Sequence, residues 1–390
     1  VTESRPSAAR AREIARDLRV RAPREWVPLE RLVGRRLFEP VRTRIAQPHV
    51  TSAAMDGWAL RSAATPGIFK VVGESAAGRP YRGSLGPDEA VRIATGAVVP
   101  DGADAVLRRE LGSEQDGLLV AAFVGPERDL RRAGEEYPKA AAVLPDGHRV
   151  RAHDLGVIAT CGWDGAFCER QPRVAILATG DELVPPGQLP DDAAVVDSNR
   201  FALGAAAAAA GAEVIWSRSV PDTASVIIGA LAEAAGDGAD AVDLLVTTGG
   251  ASIGDHDHVR PALASLGATV AFAGVAMRPG RPTSLATIGN TRVLVLPGTP
   301  AAAVIAFHVI GRELLGVATW APAILAGPFW ADETYDEFMW CRATDAGLVP
   351  TSRQGSASLA SLAGGDVLAW ISPGEASVAP GARVRASALP

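Results

Sequence analysis

Apolar and polar positions alternate with different periods along the chain, and each change of period predicts a different kind of structure. Residues 8–20 (AARAREIARDLRV) predict a charged helix. Residues 28–38 predict a second helix, because Leu29, Leu32, Val33 and Leu37 fall near helical spacing and Pro28 would sit in the first turn. Pro40 and Pro48 then mark irregular chain. From 50 to 135, short apolar runs (FKVVGE, AVRIATG, ADAVLRRE, GLLVAAFVG) alternate with Gly/Pro turns, which predicts a small β-rich domain. A helical pattern returns over 140–170, around His153–Cys161. If this segment packs on the N-terminal helices, the β-rich part is an insertion.

Residues 172–320 alternate regularly. Strands are predicted at 173–178, 213–216, 242–247, 269–276 and 292–296, and helices at 199–211, 223–235, 257–267 and 300–315. Continuous apolar strands between helices imply a doubly wound, mostly parallel α/β sheet covered on both faces. Such sheets bind ligands beyond the carboxyl ends of their strands. Residues 321–390 carry Pro, Gly and Ser between short strand-like runs (DVLAWI, ARVRAS) and predict a small β domain.

Composition adds bounds. A chain of 390 residues holds roughly two to four domains. With 48% hydrophobic and 21% charged residues it can bury a sizeable core. A formal charge of −6 gives no global footprint for nucleic acid or an anionic membrane, so an anionic ligand must be met locally. Lys70 and Lys139 are the only lysines, so positive charge is carried almost wholly by arginine. Cys161, Cys168 and Cys341 match no zinc or redox spacing and read as reduced, partly buried thiols of a cytoplasmic protein. The first 30 residues contain no apolar signal-peptide core, and the apolar stretch 301–320 is broken by His308, Arg312 and Glu313, which argues against a membrane span.

Candidate chemistry gathers after the predicted α/β strands. Thr179-Gly180-Asp181-Glu182 follows the first, Thr247 to Asp255 (TTGGASIGD) the third, and Pro297-Gly298-Thr299-Pro300 the last. Gly249, Gly250 and Gly254 can bring backbone N–H groups to a phosphate, and Ser252 can add a hydroxyl. Asp181, Glu182, Asp255 and Asp257 offer oxygen ligands suited to Mg2+ with a phosphate substrate, or simply cap helices. The run Asp255-His256-Asp257-His258 invites a zinc reading, but residues two apart do not share a helix face. Arg278 and Arg281, in a proline-stiffened loop, suit an oxyanion, or form a solvated basic turn. In the β-rich region, Ala54–Ala59 (AMDGWA) and Arg92–Ala97 (RIATGA) place Asp56 and Thr95 at turns.

The order of these segments closely resembles the molybdopterin molybdotransferase family, the MoeA-like proteins that include the gephyrin E domain. The matching segments are AMDGWA, RIATGAVVPDGADAV, AGEEY, VAILATGDELV, VDSN, TTGGASIGDHD, MRPGRP, LPGTPAAAV and, more weakly, RQGSASLASL. The resemblance implies an elongated multidomain α/β and β protein: a discontinuous helical domain I (1–48 and 136–170), an inserted β-rich domain II (49–135), an α/β domain III (171–320) and a small C-terminal β barrel (321–390). It implies a homodimer whose active site combines domain III of one subunit with domain II of the other. It implies molybdate insertion into adenylylated molybdopterin, with AMP released in an Mg2+-dependent step. Further partners would be the molybdopterin adenylyltransferase and apo-molybdoenzymes.

By the same resemblance, Asp56, Thr95, Glu182 and Asp257 match catalytic positions, with Glu182 and Asp257 near the metal. Thr179, Gly180, Asp181, Gly249, Gly250, Ser252 and Gly254 match the substrate loops. Arg278, Arg281, Pro297 and Pro300 match the anion-binding region, and Ser356 and Ser358 match a domain IV motif facing it. The chain departs from the family pattern in several places. K-P-G-K-P is R-P-G-R-P here, P-G-N-P is Pro297-Gly298-Thr299-Pro300, G-E-D is Gly134-Glu135-Glu136, and the Tyr after D-G is Trp58. The stretch between the domain IV serines is reduced to Ala357 and Ala360. Two alternatives follow: a divergent, non-catalytic paralogue that carries molybdopterin or molybdate, and the adenylyltransferase step, against which the flanking domains argue.

Overall fold

A computed structural model describes residues 5–250, 258–330, 333–374 and 377–389. The chain divides into two compact units, one of Val1–Pro23 with Arg170–Pro390 and the other of Arg24–Glu169.

The Arg24–Glu169 unit is built on a six-stranded sheet ordered Ala105–Arg108, Gly57–Leu60, Glu89–Ile93, Gly67–Ser75, Leu118–Ala121, Gly112–Gln115. Its neighbours are antiparallel except for the parallel pair Gly67–Ser75 and Glu89–Ile93. Period-two burial explains the strands. Trp58, Leu60 and Leu107 enter one core cluster, while Ala59 and Val106 enter another. A third cluster joins the segments flanking this sheet in sequence, with Val27, Leu32 and Leu37 against Val150, Ile158 and Cys168.

The second predicted helix does not form. Arg24–Pro28 is a strand paired antiparallel with Gly165–Glu169, followed by a single 3-10 turn at Leu29–Arg31. Leu32 and Leu37 are buried, but Val33 is 53% exposed, so the four residues do not make one face. Backbone bonds to distant residues, from Gly34 N–H to the Val150 carbonyl at 2.8 Å and from Leu37 N–H to the His148 carbonyl at 2.9 Å, override the local spacing. Among the described residues, the α-helix of this unit is Asp154–Thr160.

The first predicted helix forms as α1 (Ala8–Asp17), capped by the Ser7 hydroxyl, which accepts from the Arg10 N–H. It belongs to the other unit and not with residues 24–48. Ala8, Ala11 and Ala15 face a core shared with the α/β sheet, and Arg12 and Arg16 bond Glu313.

The α/β sheet contains β1 (Arg173–Thr179), β2 (Glu213–Val220), β3 (Leu244–Thr248), β4 (Thr269–Ala273), β5 (Ser284–Ile288) and β6 (Thr291–Leu296), in the order β2-β1-β3-β6-β5-β4. The first four in that order are parallel, and β5 and β4 extend the sheet antiparallel. Sequence reading leaves β5 as loop, because its short run sits between the Arg-Pro loop and a turn. Both faces are dry: Val174 and Ile176 point to one core, Ala175 and Leu177 to the other. Helices α2 (Asn199–Ala209) and α5 (Pro300–Ala306) cover the first face. Helices α3 (Ala224–Ala235) and α4 (Val259–Ser265) cover the second. Helix α5 continues as a buried π-turn, Phe307–Gly311.

The C-terminal residues form a sheet ordered Met277–Arg278, Asp336–Thr344, Val367–Ile371, Arg383–Ala388, Ala321–Ile324, with Gly347–Pro350 beside Asp336–Thr344. Its first strand is borrowed from the Arg-Pro loop of the α/β region, with Arg278 opposite Glu337. The three cysteines are free and buried, and burial pushes the Cys168 thiol up to about 11 and Cys341 to about 12. Among the described residues, no helix is long and apolar enough to cross a membrane.

Candidate functional site

The chain leaves β1 toward β2 on one side and returns to β3 on the other, so a crevice opens between the carboxyl ends of β1 and β3. A cavity of about 80 Å3 lies there, lined among others by Thr179, Glu182, Asn199, Thr248, Gly249 and Pro300. The glycines are sterically required. Gly249 has φ 90°, and a Cβ on it would collide with the Thr179 carbonyl. Gly250 has φ 60°, and its Cβ would lie 3.0 Å from both Thr179 Oγ1 and Val259 Cγ2. The backbone of this turn can therefore press against the end of β1, where a side chain would otherwise stand.

Asn199 ties the loops together. Its Nδ2 donates to Thr248 Oγ1 at 2.9 Å and to the Gly298 carbonyl at 2.7 Å, while Thr248 Oγ1 donates to the Pro297 carbonyl at 2.9 Å. Sequence reasoning missed Asn199 as a site residue; its signal was the polar Asp197-Ser198-Asn199 run, which also reads as an ordinary helix start. Buried Thr179 Oγ1 and Asn199 Oδ1 have no hydrogen-bond partner among the described residues.

A larger cleft of about 760 Å3 shares Glu182, Gly298 and Pro300 with the cavity and adds Pro297, Arg281, Arg260 and Arg5. The Arg278 and Arg281 guanidinium groups lie 4.5 and 5.8 Å from the Tyr335 ring centre. The Ser356 carbonyl accepts from Ala302 N–H at 3.1 Å, which brings the domain IV motif to the first turn of α5. Ser358 has a structural task there: its hydroxyl accepts from Ser361 N–H and caps the helix Leu359–Gly364.

The α/β crevice thus gathers Thr179, Glu182, Gly249, Gly250, Pro297, Pro300 and Arg281. Gly180 is adjacent, and a Cβ on it would meet the Glu182 carboxylate. Asp181 Oδ1 accepts from Asp222 N–H at 3.1 Å, holding the turn that follows β2. Ser252, Gly254 and Asp257 lie outside the described residues, as do Asp255 and His256. Among the described residues, no three His, Cys, Asp or Glu side chains form a metal-holding group.

Asp56 and Thr95 meet in the Arg24–Glu169 unit. Asp56 Oδ1 accepts from both the N–H and the hydroxyl of Thr95, each at 2.7 Å, and these bonds, the backbone one first, hold the carboxyl below the usual aspartate range. Gly57 and Trp58 of the AMDGWA segment are committed to packing. A Cβ on Gly57 would collide with the Leu107 carbonyl, and Trp58 is buried with Nε1 donating to Glu114 at 2.9 Å. Asp56 remains exposed as an ionised acceptor.

Three family models match the chain in order: "MoeA N-terminal region (domain I and II)" over 6–162, "Probable molybdopterin binding domain" over 175–316 and "MoeA C-terminal region (domain IV)" over 322–389. The chain is 34% identical to the molybdopterin molybdenumtransferase of a Nostoc species over 77% of its own length and 72% of the relative's. It is 33% identical to the Bacillus subtilis protein of the same name, over 76% and 70%. A molybdopterin biosynthesis MoeA protein from Pyrococcus horikosii superposes with a TM-score of 0.85 at 25% identity, covering 99% of this chain and 100% of that one. The ordered models, the relatives and the shared fold together place this chain in the MoeA family, that of the molybdopterin molybdenumtransferases.

Proposed function

We propose that the protein is a molybdopterin molybdenumtransferase, inserting molybdate into adenylylated molybdopterin with release of AMP. The observation that carries this reading is the convergence of three strand-end loops, 179–182, 249–250 and 297–300, on one crevice beside an arginine-lined cleft. The glycine turn offers backbone N–H groups to the phosphates of the substrate. Arg278 and Arg281 meet the molybdate oxyanion; as guanidinium groups they keep the charge of the family's lysines and offer a planar fork of donors. Pro297 and Pro300 shape the loop beside them. Water cleaves the bond between the two phosphates, giving AMP and the phosphate monoester of molybdopterin.

The residues present suit a hard divalent cation. Glu182, Thr179 Oγ1 and Asn199 Oδ1 give the cavity oxygen donors, two of them without protein partners among the described residues. Mg2+ is commonly bound by one or two carboxylates plus substrate phosphates, so a three-carboxylate cluster is not needed. Glu182 and Asp257 would hold it, and it would supply charge neutralisation at the phosphate being cleaved. Asp56 and Thr95 would complete the site from the second subunit of a homodimer, with domain II running from 49 to 135. Nothing in the comparisons favours the non-catalytic alternative.

The test is AMP release by the purified chain from adenylylated molybdopterin, with and without molybdate and Mg2+. Release that needs both is the expected result; tight substrate binding without AMP release would replace this reading with that of a carrier. Asp257→Ala should abolish the Mg2+ dependence along with turnover, and unchanged turnover would remove Asp257 from the metal site.

A further inference from the structure

The larger cleft contains an arginine that none of the motifs marks. Arg5 comes from the segment preceding α1, and three contacts fix that segment in place. The Pro6 carbonyl accepts from Ala276 N–H at 2.8 Å, Ser7 forms a parallel bridge with Ala276, and Ala8 N–H donates to Asp336 Oδ2 at 2.9 Å. Arg5 is thus the residue next to an anchored turn.

Its side chain lies across Gly274. Gly274 has φ 86°, and a Cβ on it would sit 2.8 Å from Arg5 Nε, 3.0 Å from Arg5 Cδ and 3.3 Å from the Arg281 carbonyl. The turn bearing Gly274 is closed by Gly274 N–H to Thr283 O and Val275 N–H to Arg281 O, both at 3.0 Å. One glycine therefore makes room for the Arg5 guanidinium directly over the loop that carries Arg281. Any larger residue at 274 would push Arg5 aside.

The charge balance of the cleft gives this placement a purpose. Arg5, Arg260 and Arg281 line it, and Glu182 is the acidic residue among the described lining. Arg260 donates to Ser284 Oγ at 3.2 Å, while neither Arg5 nor Arg281 is paired with a carboxylate among the described residues. Arg5 and Arg281, which share the cleft with no paired carboxylate among the described residues, favour a multiply charged anion with several acceptor oxygens.

The geometry points to Arg5 as a further oxyanion-binding residue of this site, holding a tetrahedral dianion together with Arg281. That dianion is free molybdate or the phosphate of the pterin substrate, and molybdate is the assignment tested first. The inference rests on the molybdenumtransferase reading for its substrates but not for its geometry.

The experiment uses the full chain, with Arg5→Ala, Arg5→Lys and Gly274→Ala, and two readouts. One is direct binding of sodium molybdate by calorimetry, with sulfate as competitor; the other is the dependence of AMP release on each substrate. Arg5→Ala should raise the molybdate Kd and KM about tenfold, the effect of losing one charge-assisted contact, with kcat within about twofold. Arg5→Lys should recover part of the loss, and Gly274→Ala should reproduce it by displacing Arg5. If the KM for adenylylated molybdopterin rises instead, the dianion held is the substrate phosphate. Unchanged constants for both substrates in Arg5→Ala would overturn the inference. If the wild type binds molybdate in an Arg5-dependent way yet releases no AMP, the functional reading fails and the inference stands.

Discussion

Two groups of arginines within one structural unit show how little residue type says about role in this chain. Arg12 and Arg16 on α1 converge on Glu313, with Arg12 Nη2 2.5 Å and Arg16 Nη2 3.1 Å from Glu313 Oε1. Arg12 is 9% exposed, lies 5.2 Å from the ring centres of both Trp320 and Trp370, and burial lowers its pKa against the pull of Glu313. Arg5 and Arg281 stand in an open cleft with no paired carboxylate among the described residues. The first group is tied to a buried carboxylate, so it holds a helix in place. The second keeps its charge available, so it can meet a ligand.

The comparison breaks most readily at Glu313. Glu313→Ala strands two guanidinium groups, one of them buried, and should cost about 3–5 kcal/mol of unfolding free energy. Denaturant unfolding measures it, and a loss below about 1 kcal/mol would mean that α1 is held by its alanine face alone. Arg281→Ala should do the reverse. Stability should change by less than about 0.5 kcal/mol, because the residue is exposed and has no paired carboxylate among the described residues. Molybdate-dependent kcat/KM should fall roughly 10–100-fold, equivalent to about 1.4–2.8 kcal/mol. A melting shift as large as that of Glu313→Ala would erase the distinction between the two groups.

How far such roles can be read from sequence depends on how local their causes are. The strands β1, β3 and β6 were legible because both faces of each are buried, which leaves uninterrupted apolar runs such as VAIL and VLVL. The glycine turn after β3 was legible because its constraint, the end of β1, is a property of every sheet of this kind. The stretch 28–38 was not, because the N–H groups of Gly34, Leu37 and Phe38 bond the carbonyls of Val150, His148 and Phe167, more than a hundred residues away in the chain. Helix α1 was recognised, but its partners Glu313 and Asp336 are even more distant in sequence, so its packing against the α/β region could not be read locally. Arg5 was invisible for the same reason: its meaning lies in the missing side chain of Gly274. Ser358 shows that a residue marked by a motif can also have a local structural task, since its hydroxyl caps its own helix.

His308 extends the comparison to a buried base with no carboxylate paired to it among the described residues. It lies in the π-turn one residue-run before Glu313, 5% exposed, and its Nδ1 has no partner among the described residues. Burial, with Arg312 adding to it, pushes its pKa down from 6.5 to about 4. The folded state therefore holds His308 neutral while the unfolded chain binds a proton at 6.5. Its contribution is intact above pH 6.5 and is lost as pH falls from 6.5 toward 4, with a slope of at most about 1.4 kcal/mol per pH unit. His308→Gln should flatten that part of the stability profile relative to the wild type. An unchanged acid limb would show that His308 gains a proton acceptor in the folded protein.

Arg10 supplies the smallest effect and the sharpest control, because it shares α1 with Arg12 and Arg16. It also pairs with a glutamate, Glu13, at 2.9 Å, but the two side chains are 61% and 55% exposed. Water screens the pair, and holding two long side chains together offsets most of the attraction. Arg10→Ala should shift unfolding by less than about 0.5 kcal/mol, and alanine's better helix propensity works against even that loss. Its molybdate affinity should match the wild type. If Arg10→Ala instead destabilised as much as Glu313→Ala, net charge on α1 rather than burial of a closed ion pair would be what holds the helix, and the contrast between closed and open arginines would lose its physical basis.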